Sequence, residues 1–201
     1  MSIANAWFMA VLALLLFWAV GAYSRLQGLR TAILSAFAHL DTHVRRRHDI
    51  AQRTVASLRP QLPSAHDTLE RLLAASSQVV AATDLVKGHV HQSGPIQSCS
   101  MAEDVFQNSH ARLHAVLDEQ DPAVSSPELS SLLEELQLAD NQARFSRNLY
   151  NQAAQTYNEA ATLWPTRLVA RLCGFGRAAT LHPAPSRIEA PRVRSEAGAT
   201  P

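Results

Sequence analysis

Cysteine, lysine and glycine are all scarce in this chain, and each shortage removes a class of explanation. Only 2 of the 201 residues are cysteine, Cys99 and Cys173. They are too far apart for a metal-binding spacing and too few for a disulfide framework, a usage that suits a reducing compartment. Lysine occurs once, at Lys87, among 18 lysines and arginines, and the formal net charge is +1. Basicity can therefore matter only where arginines cluster, and bulk electrostatics argue against a nucleic-acid binder. There are 7 glycines and 3 tyrosines, and no stretch shows strand-like alternation. What remains is rich in Ala and Leu and points to an all-α fold. No segment combines a nucleophile, a base and oxyanion donors, so no catalytic residue, cofactor or small-molecule substrate can be named.

What is present, first of all, is an uncharged and mostly apolar run from Ile3 to Tyr23. At ~1.5 Å per helical residue it covers about 30 Å, the hydrocarbon thickness of a bilayer. Ala19-Val20-Gly21 would suit a signal-peptide cleavage site, but no Lys or Arg precedes the run and it exceeds the usual signal core. A membrane anchor over residues 1–24 is the better reading, with membrane lipid as the partner of residues 3–23. Trp7 near one end, and Trp18 and Tyr23 near the other, suit the headgroup zone. Arg25 and Arg30 follow at once, so the positive-inside rule puts the rest of the chain in the cytoplasm of a single-pass cell-membrane protein.

Beyond the anchor, helical periodicity runs through residues 25–181, whereas residues 182–201, rich in Pro, Ala, Arg and Glu, read as a disordered tail. Leu26, Leu29, Ile33, Phe37, Leu40, Val44, Ala51, Val55 and Leu58 mark one face of a helix continuous with the anchor, stopped by Pro60 and Pro63. A second helix is expected from Ser64 to Lys87, then a loop over Gly88 to Pro95. Ser100 followed by Glu103 is a capping-box signature and predicts a third helix from there to about Gln120, before Asp121-Pro122. The fourth spans Pro127 to Trp164, with Leu129, Leu136, Ala143, Tyr150, Tyr157 and Trp164 at intervals of seven. Alternating large and small seams at that repeat are a code for shallow helix crossing. The Tyr and Trp positions therefore read as core. Two long and two short helices predict an antiparallel, up-down-up-down four-helix bundle.

These residues resemble the LemA family of bacterial membrane-anchored helical proteins. Tyr23, Leu26, Leu29-Arg30, Leu40-Asp41, Arg46-Arg47 and Asp49 match its opening pattern. Asn141, Arg147, Tyr150-Asn151, Tyr157-Asn158, Pro165, Leu168 and Gly174-Phe175 match its closing pattern, in which the paired Tyr-Asn motif is the most specific element. The resemblance covers about Tyr23 to Phe175. It departs after the Arg-Arg-x-Asp stretch, where the family usually has Leu-Ile-Pro-Asn-Leu-Val and this chain continues Ile50, Ala51, Gln52, Arg53, Thr54, Val55. The resemblance implies a single-pass anchor on a four-helix bundle, and no enzyme, since the family has no established biochemical activity.

Asp41, Arg46, Arg47, Tyr150, Asn151, Tyr157, Asn158, Pro165, Gly174 and Phe175 are thus the structural or interaction candidates. Arg45, Arg46 and Arg47 could meet phosphate or anionic lipid, but Arg47 falls on the buried stripe, where a charge needs a carboxylate partner. Glu134, Glu135 and Asp140 are the candidates on the fourth helix, and Asp41 can pair with Arg45 at i,i+4. His39 with His43, and His110 with His114, share helix faces but lack a third ligand, so no metal is assigned. Thr166 to Arg177 alternates arginines with apolar residues, as either a cap on the core or a segment at the lipid interface. The function that fits is a non-enzymatic, membrane-anchored helical scaffold or protein-interaction module, acting through a protein partner or self-association. The alternative is a sensory or ligand-binding bundle.

Overall fold

The structure, a computed structural model, describes residues 3–87, 93–119 and 127–181, with side chains from Trp7 onwards. Among these residues there is helix and no strand. Helix α1 runs unbroken from Ile3 to Leu58, 56 residues or about 84 Å, because no proline interrupts it before Pro60. The chain then turns, with Leu62 N–H on the Leu58 carbonyl at 2.9 Å, and a short 3₁₀ turn at Pro63–Ala65 leads into α2, His66–Lys87. Asp67 in the first turn of α2 and Lys87 in its last complement the helix dipole.

Helix α3 spans Ser93–Asp118, which corrects the expected start at Ser100. Gly94 and Pro95 fall in its first turn, where a missing N–H costs no hydrogen bond. Ser100 and Glu103 are therefore not a cap. They lie inside the helix and are both buried; a spacing of three that brings a cap together also puts two residues on one helix face. Helix α4 covers Pro127–Thr162 with proline at its first position, and α5 covers Thr166–Leu172. The breakers expected at Asp121-Pro122, residues 88–92 of the expected loop, and the tail from residue 182 lie outside the described residues.

Side-chain pairs set the directions. Phe37 meets Tyr150, Arg47 meets Asp140 and Arg53 meets Glu135, so α1 and α4 are antiparallel. Arg45 with Asp84 and Arg59 with Glu70 make α1 and α2 antiparallel. Helix α2 lies along α3, and α5 packs on both α4 and α1. The anticipated four-helix bundle on a continuous N-terminal helix is what forms. Its core collects the α1 stripe, Leu69, Leu72 and Val79 of α2, Ile96, Phe106 and Leu113 of α3, and Tyr150 and Tyr157 of α4. Ile50, Ala51, Thr54 and Val55, in the segment that departs from the family pattern, are buried as well.

The heptad on α4 is buried from Leu129 to Tyr157 and fails at its last member. Trp164 lies in the turn after α4 and is 80% exposed, since Pro165 ends the helix before a further buried position can form. Towards the same end of the bundle, the N-terminal part of α1 carries an apolar stretch long enough to cross a membrane, none of it buried within the protein.

Candidate functional site

Arg47 is the largest fully buried side chain and lies at the centre of a closed ion cluster. Its guanidinium forks onto Glu103 of α3, with Nη1–Oε1 at 2.7 Å and Nη2–Oε2 at 2.6 Å. Nη1 also donates to Asp140 Oδ1 of α4 at 2.7 Å. Gln107 donates to Glu103 at 3.0 Å and to Asp140 at 2.9 Å, and Arg144 Nε donates to Asp140 Oδ2 at 2.7 Å and Nη2 to Gln107. The Arg47 carbon at the fork sits 3.9 Å above the Phe106 ring. Two arginines and two carboxylates thus leave no net charge.

Burial pushes both carboxyls towards the neutral acid, but the Arg47 charge and the hydrogen bonds outweigh it and hold them below their ordinary range. Burial likewise opposes the charge on Arg47, and its two carboxylates more than restore it. All three groups are locked in their charged forms at neutral pH.

Of the expected partners for Arg47, only Asp140 serves. Glu135 pairs with Arg53 at 3.0 Å, and the second carboxylate comes from Glu103, whose spacing from Ser100 imitates a capping box. Asp41 does pair with Arg45, at 3.1 Å, and also with Lys87 at 2.8 Å. Arg46 is exposed, as its helical position requires. Asn141 is exposed, while Arg147 is half-buried with Nε and Nη1 unpartnered among the described residues. Arg147 faces a cavity of about 10 Å³ with Ser100, Cys99 and Leu181, room for about one water. Among the described residues no three His, Cys, Asp or Glu side chains converge as metal ligands. The His110 ring stacks on Phe106 at 5.8 Å and meets His114 edge-on at 4.6 Å.

The Tyr-Asn pairs do more than fill the core. After α5 the chain returns along α4 as a non-helical strap, residues 175–181. The Asn158 amide holds Ala178 by both backbone groups, Nδ2 donating to its carbonyl at 2.8 Å and Oδ1 accepting its N–H at 2.9 Å. Asn151 does the same to Leu181 at 2.6 and 2.8 Å. Tyr157 donates to the Gly176 carbonyl and Tyr150 to that of Ala179, each at 2.9 Å. Each step of seven residues along α4 meets a step of three along the strap. Seven helical residues rise about 10.5 Å and three extended ones about 10 Å. The repeat is therefore the one that keeps a helix and an extended chain in register. Burial pushes the Tyr150 hydroxyl up to about 12, so it remains a donor at physiological pH.

Pro165 and Gly174-Phe175 shape the turn that launches the strap. Gly174, with φ of 71°, follows α5 as a left-handed residue. Phe175 N–H reaches back to the Ala170 carbonyl at 2.9 Å and Gly174 N–H to that of Arg171 at 3.4 Å, a Schellman ending. The Phe175 ring then meets Tyr23 edge-on at 5.6 Å. The two ends of the family pattern therefore touch.

Three outcomes test these roles. In detergent-solubilised protein, Arg47→Ala is expected to cost about 3 to 5 kcal/mol, because it strands two buried carboxylates, and Arg46→Ala less than about 1 kcal/mol. Urea midpoints decide, and equal mildness at both positions would refute a buried cluster. Asn158→Ala should release the strap by roughly 1 to 3 kcal/mol, since Ala178 loses both its partners. Hydrogen exchange at Ala178 should then accelerate while the amides of α1 and α4 stay protected.

The third outcome concerns His110, whose pKa falls from 6.5 to about 4 chiefly through burial, with Asp140 opposing and His114, Arg47 and Arg144 assisting. Below pH 6.5 the unfolded chain takes up a proton that the folded one refuses until about pH 4. Stability is thus full above that window and drops as pH falls through it, by at most ~3 kcal/mol. His110→Gln should flatten this limb of the stability profile.

Comparison with known proteins agrees with this arrangement. The model of the LemA family matches residues 36–194, which takes in the ion cluster, both Tyr-Asn pairs and the strap. No curated protein matches the chain. With most of its length covered by that match, the chain belongs to the LemA family.

Proposed function

We propose that this protein is a non-enzymatic scaffold anchored in the cell membrane, a stiff helical post that presents its outer face to a protein partner or to a second copy of itself. One observation carries the reading. The helix whose first third is apolar and unburied is the same unbroken α1 that supplies Leu26, Ile33, Phe37 and Arg47 to the core. The anchor and the bundle share one helical backbone that no proline interrupts, so the bundle's orientation follows the anchor's. Arg25 and Arg30, close behind the apolar stretch, support a cytoplasmic bundle by the positive-inside rule.

The presenting face is the outer ridge of α4, where Leu138, Phe145 and Leu149 are exposed at 53%, 63% and 40%. Every residue of the Tyr-Asn motif, and Arg47 with it, is already engaged internally. That supports a role played by surface rather than by motif chemistry.

A photoreactive benzophenone side chain replacing Phe145 tests the proposal in native membranes. Discrete adducts, with the same chain or with one partner, are expected there and not from the same probe at Gln78, in the groove between α2 and α3. Absence of adducts at Phe145, together with thermal stabilisation by a small molecule that Gln78→Trp abolishes, would replace the scaffold with the ligand-binding alternative.

A further inference from the structure

We propose that the turn after α4 together with α5, residues 163–172, is a second membrane contact: a foot that rests on the bilayer surface beside the point where α1 emerges. The proposal rests on the membrane anchoring argued above, and its first support is height. The register of α1 against α4 runs one for one, through Phe37–Tyr150, Arg47–Asp140 and Arg53–Glu135. Continued to the end of α4, it brings Trp164 level with Tyr23, the last residue of the uncharged run. The 5.6 Å contact between Phe175 and Tyr23 independently puts the end of α5 at the same height.

The second support is the distribution of apolar surface. Val169 and Ala170 turn inward and are buried. Leu163, Trp164, Leu168 and Leu172 are exposed at 60%, 80%, 53% and 87%. Trp164, Leu168 and Leu172 follow one another at intervals of four. Water is a poor environment for such a cluster, and at this height it is continuous with the apolar exterior of the anchor, where Phe17 and Val20 are 79% and 67% exposed. A tryptophan with its ring at the end of a membrane span is favoured in the headgroup layer.

Charge supplies the third support. Arg167 and Arg171 flank the leucines on α5 and are exposed, and Arg25 and Arg30 follow the span on α1. Residues 3–40 and 160–181 contain no aspartate or glutamate. The membrane end of the protein is thus apolar and cationic, complementary to acyl chains beneath anionic phosphates. Elsewhere on the bundle Arg45, Arg53, Arg59 and Arg71 pair with carboxylates, which gives those surfaces mixed sign.

The chain holds 3 tryptophans, Trp7, Trp18 and Trp164, so the full-length W7F/W18F protein reports on the foot alone. It is reconstituted in vesicles of phosphatidylcholine and phosphatidylglycerol with bromine carried at defined depths on the acyl chains. Trp164 emission is expected to be shifted to the blue and quenched most by bromines near the headgroup. Leu168→Ser with Leu172→Ser should lower that quenching severalfold, and Arg167→Gln with Arg171→Gln should remove its dependence on phosphatidylglycerol. Water-like, unquenched emission overturns the proposal, as does emission shifted to the blue but unquenched, which would mean a protein contact. The W164F protein, with Trp7 and Trp18 retained, separates the two readings. If its tryptophans are quenched while Trp164 is silent, the foot alone fails; if they are silent too, the anchor fails and the foot with it.

Discussion

The rest of the bundle is arranged around one buried guanidinium. Arg47 of α1 takes one carboxylate from α3 and another from α4, so a single side chain ties three helices at one level. Such a cluster adds little stability over well-packed apolar residues of the same volume, because desolvating the three buried charges, Arg47, Glu103 and Asp140, consumes most of the Coulombic gain. What it does impose is register. A slide of one helical turn, about 5.4 Å, would separate every pair and leave charges buried without partners, whereas a leucine seam could slip by a turn and find new neighbours. The cluster also interrupts the apolar core, setting Ile50, Ala51, Leu136 and Ala139 apart as a small group of their own. Alanine-rich seams tolerate sliding well, so a bundle built from them has particular need of such a polar pin.

Matching of lengths governs the other half of the molecule. The strap has no helix of its own to satisfy its backbone, and two asparagine amides act as substitute peptide groups, each closing a pair of hydrogen bonds with one residue. The tyrosine before each asparagine buries its ring in the core and extends its hydroxyl to the same strap. One dipeptide thus serves both layers. The arrangement works only because a heptad on α4 and a tripeptide of extended chain have nearly the same length, so the spacing of the motif follows from geometry and not from the chemistry of a ligand.

Most of the helical framework was legible in the sequence, since it rests on periodicity and proline. The buried stripe of α1, the end near Leu58 and the inward placing of Arg47 all follow from counting residues around a helix. The start of α3 did not, because Ser100 and Glu103 satisfy a local capping rule and a long-range pairing equally well on paper, and only the position of Arg47 in space selects between them. Trp164 misled for a related reason: it keeps the heptad spacing, but spacing has no meaning beyond Thr162, where the helix ends ahead of Pro165. The strap left no mark at all. Gly176 to Leu181 are held through backbone atoms, which every sequence possesses, so only the asparagines opposite could have revealed it. Those showed themselves as a family motif without disclosing what they grip.

The inward use of the motif residues bears on where a scaffold's specificity can reside. Arg47, Glu103, Asp140 and the two Tyr-Asn pairs determine how the post is built, and a change in any of them alters stability before it alters recognition. Surface positions such as Leu138 and Phe145 on α4 carry no comparable internal obligation. They can be exchanged for another partner's needs at little cost to the fold. Stiffness connects the two sets. Under the proposed function, the continuity of α1 from the apolar end to the ion cluster, and the strap that binds α4 to the turn that meets Tyr23, would couple a partner seated on the outer face to the anchor. In the proposed scaffold, internal polar contacts therefore convert a membrane-bound helix into a fixed bearing, and the outer face alone decides what is held there.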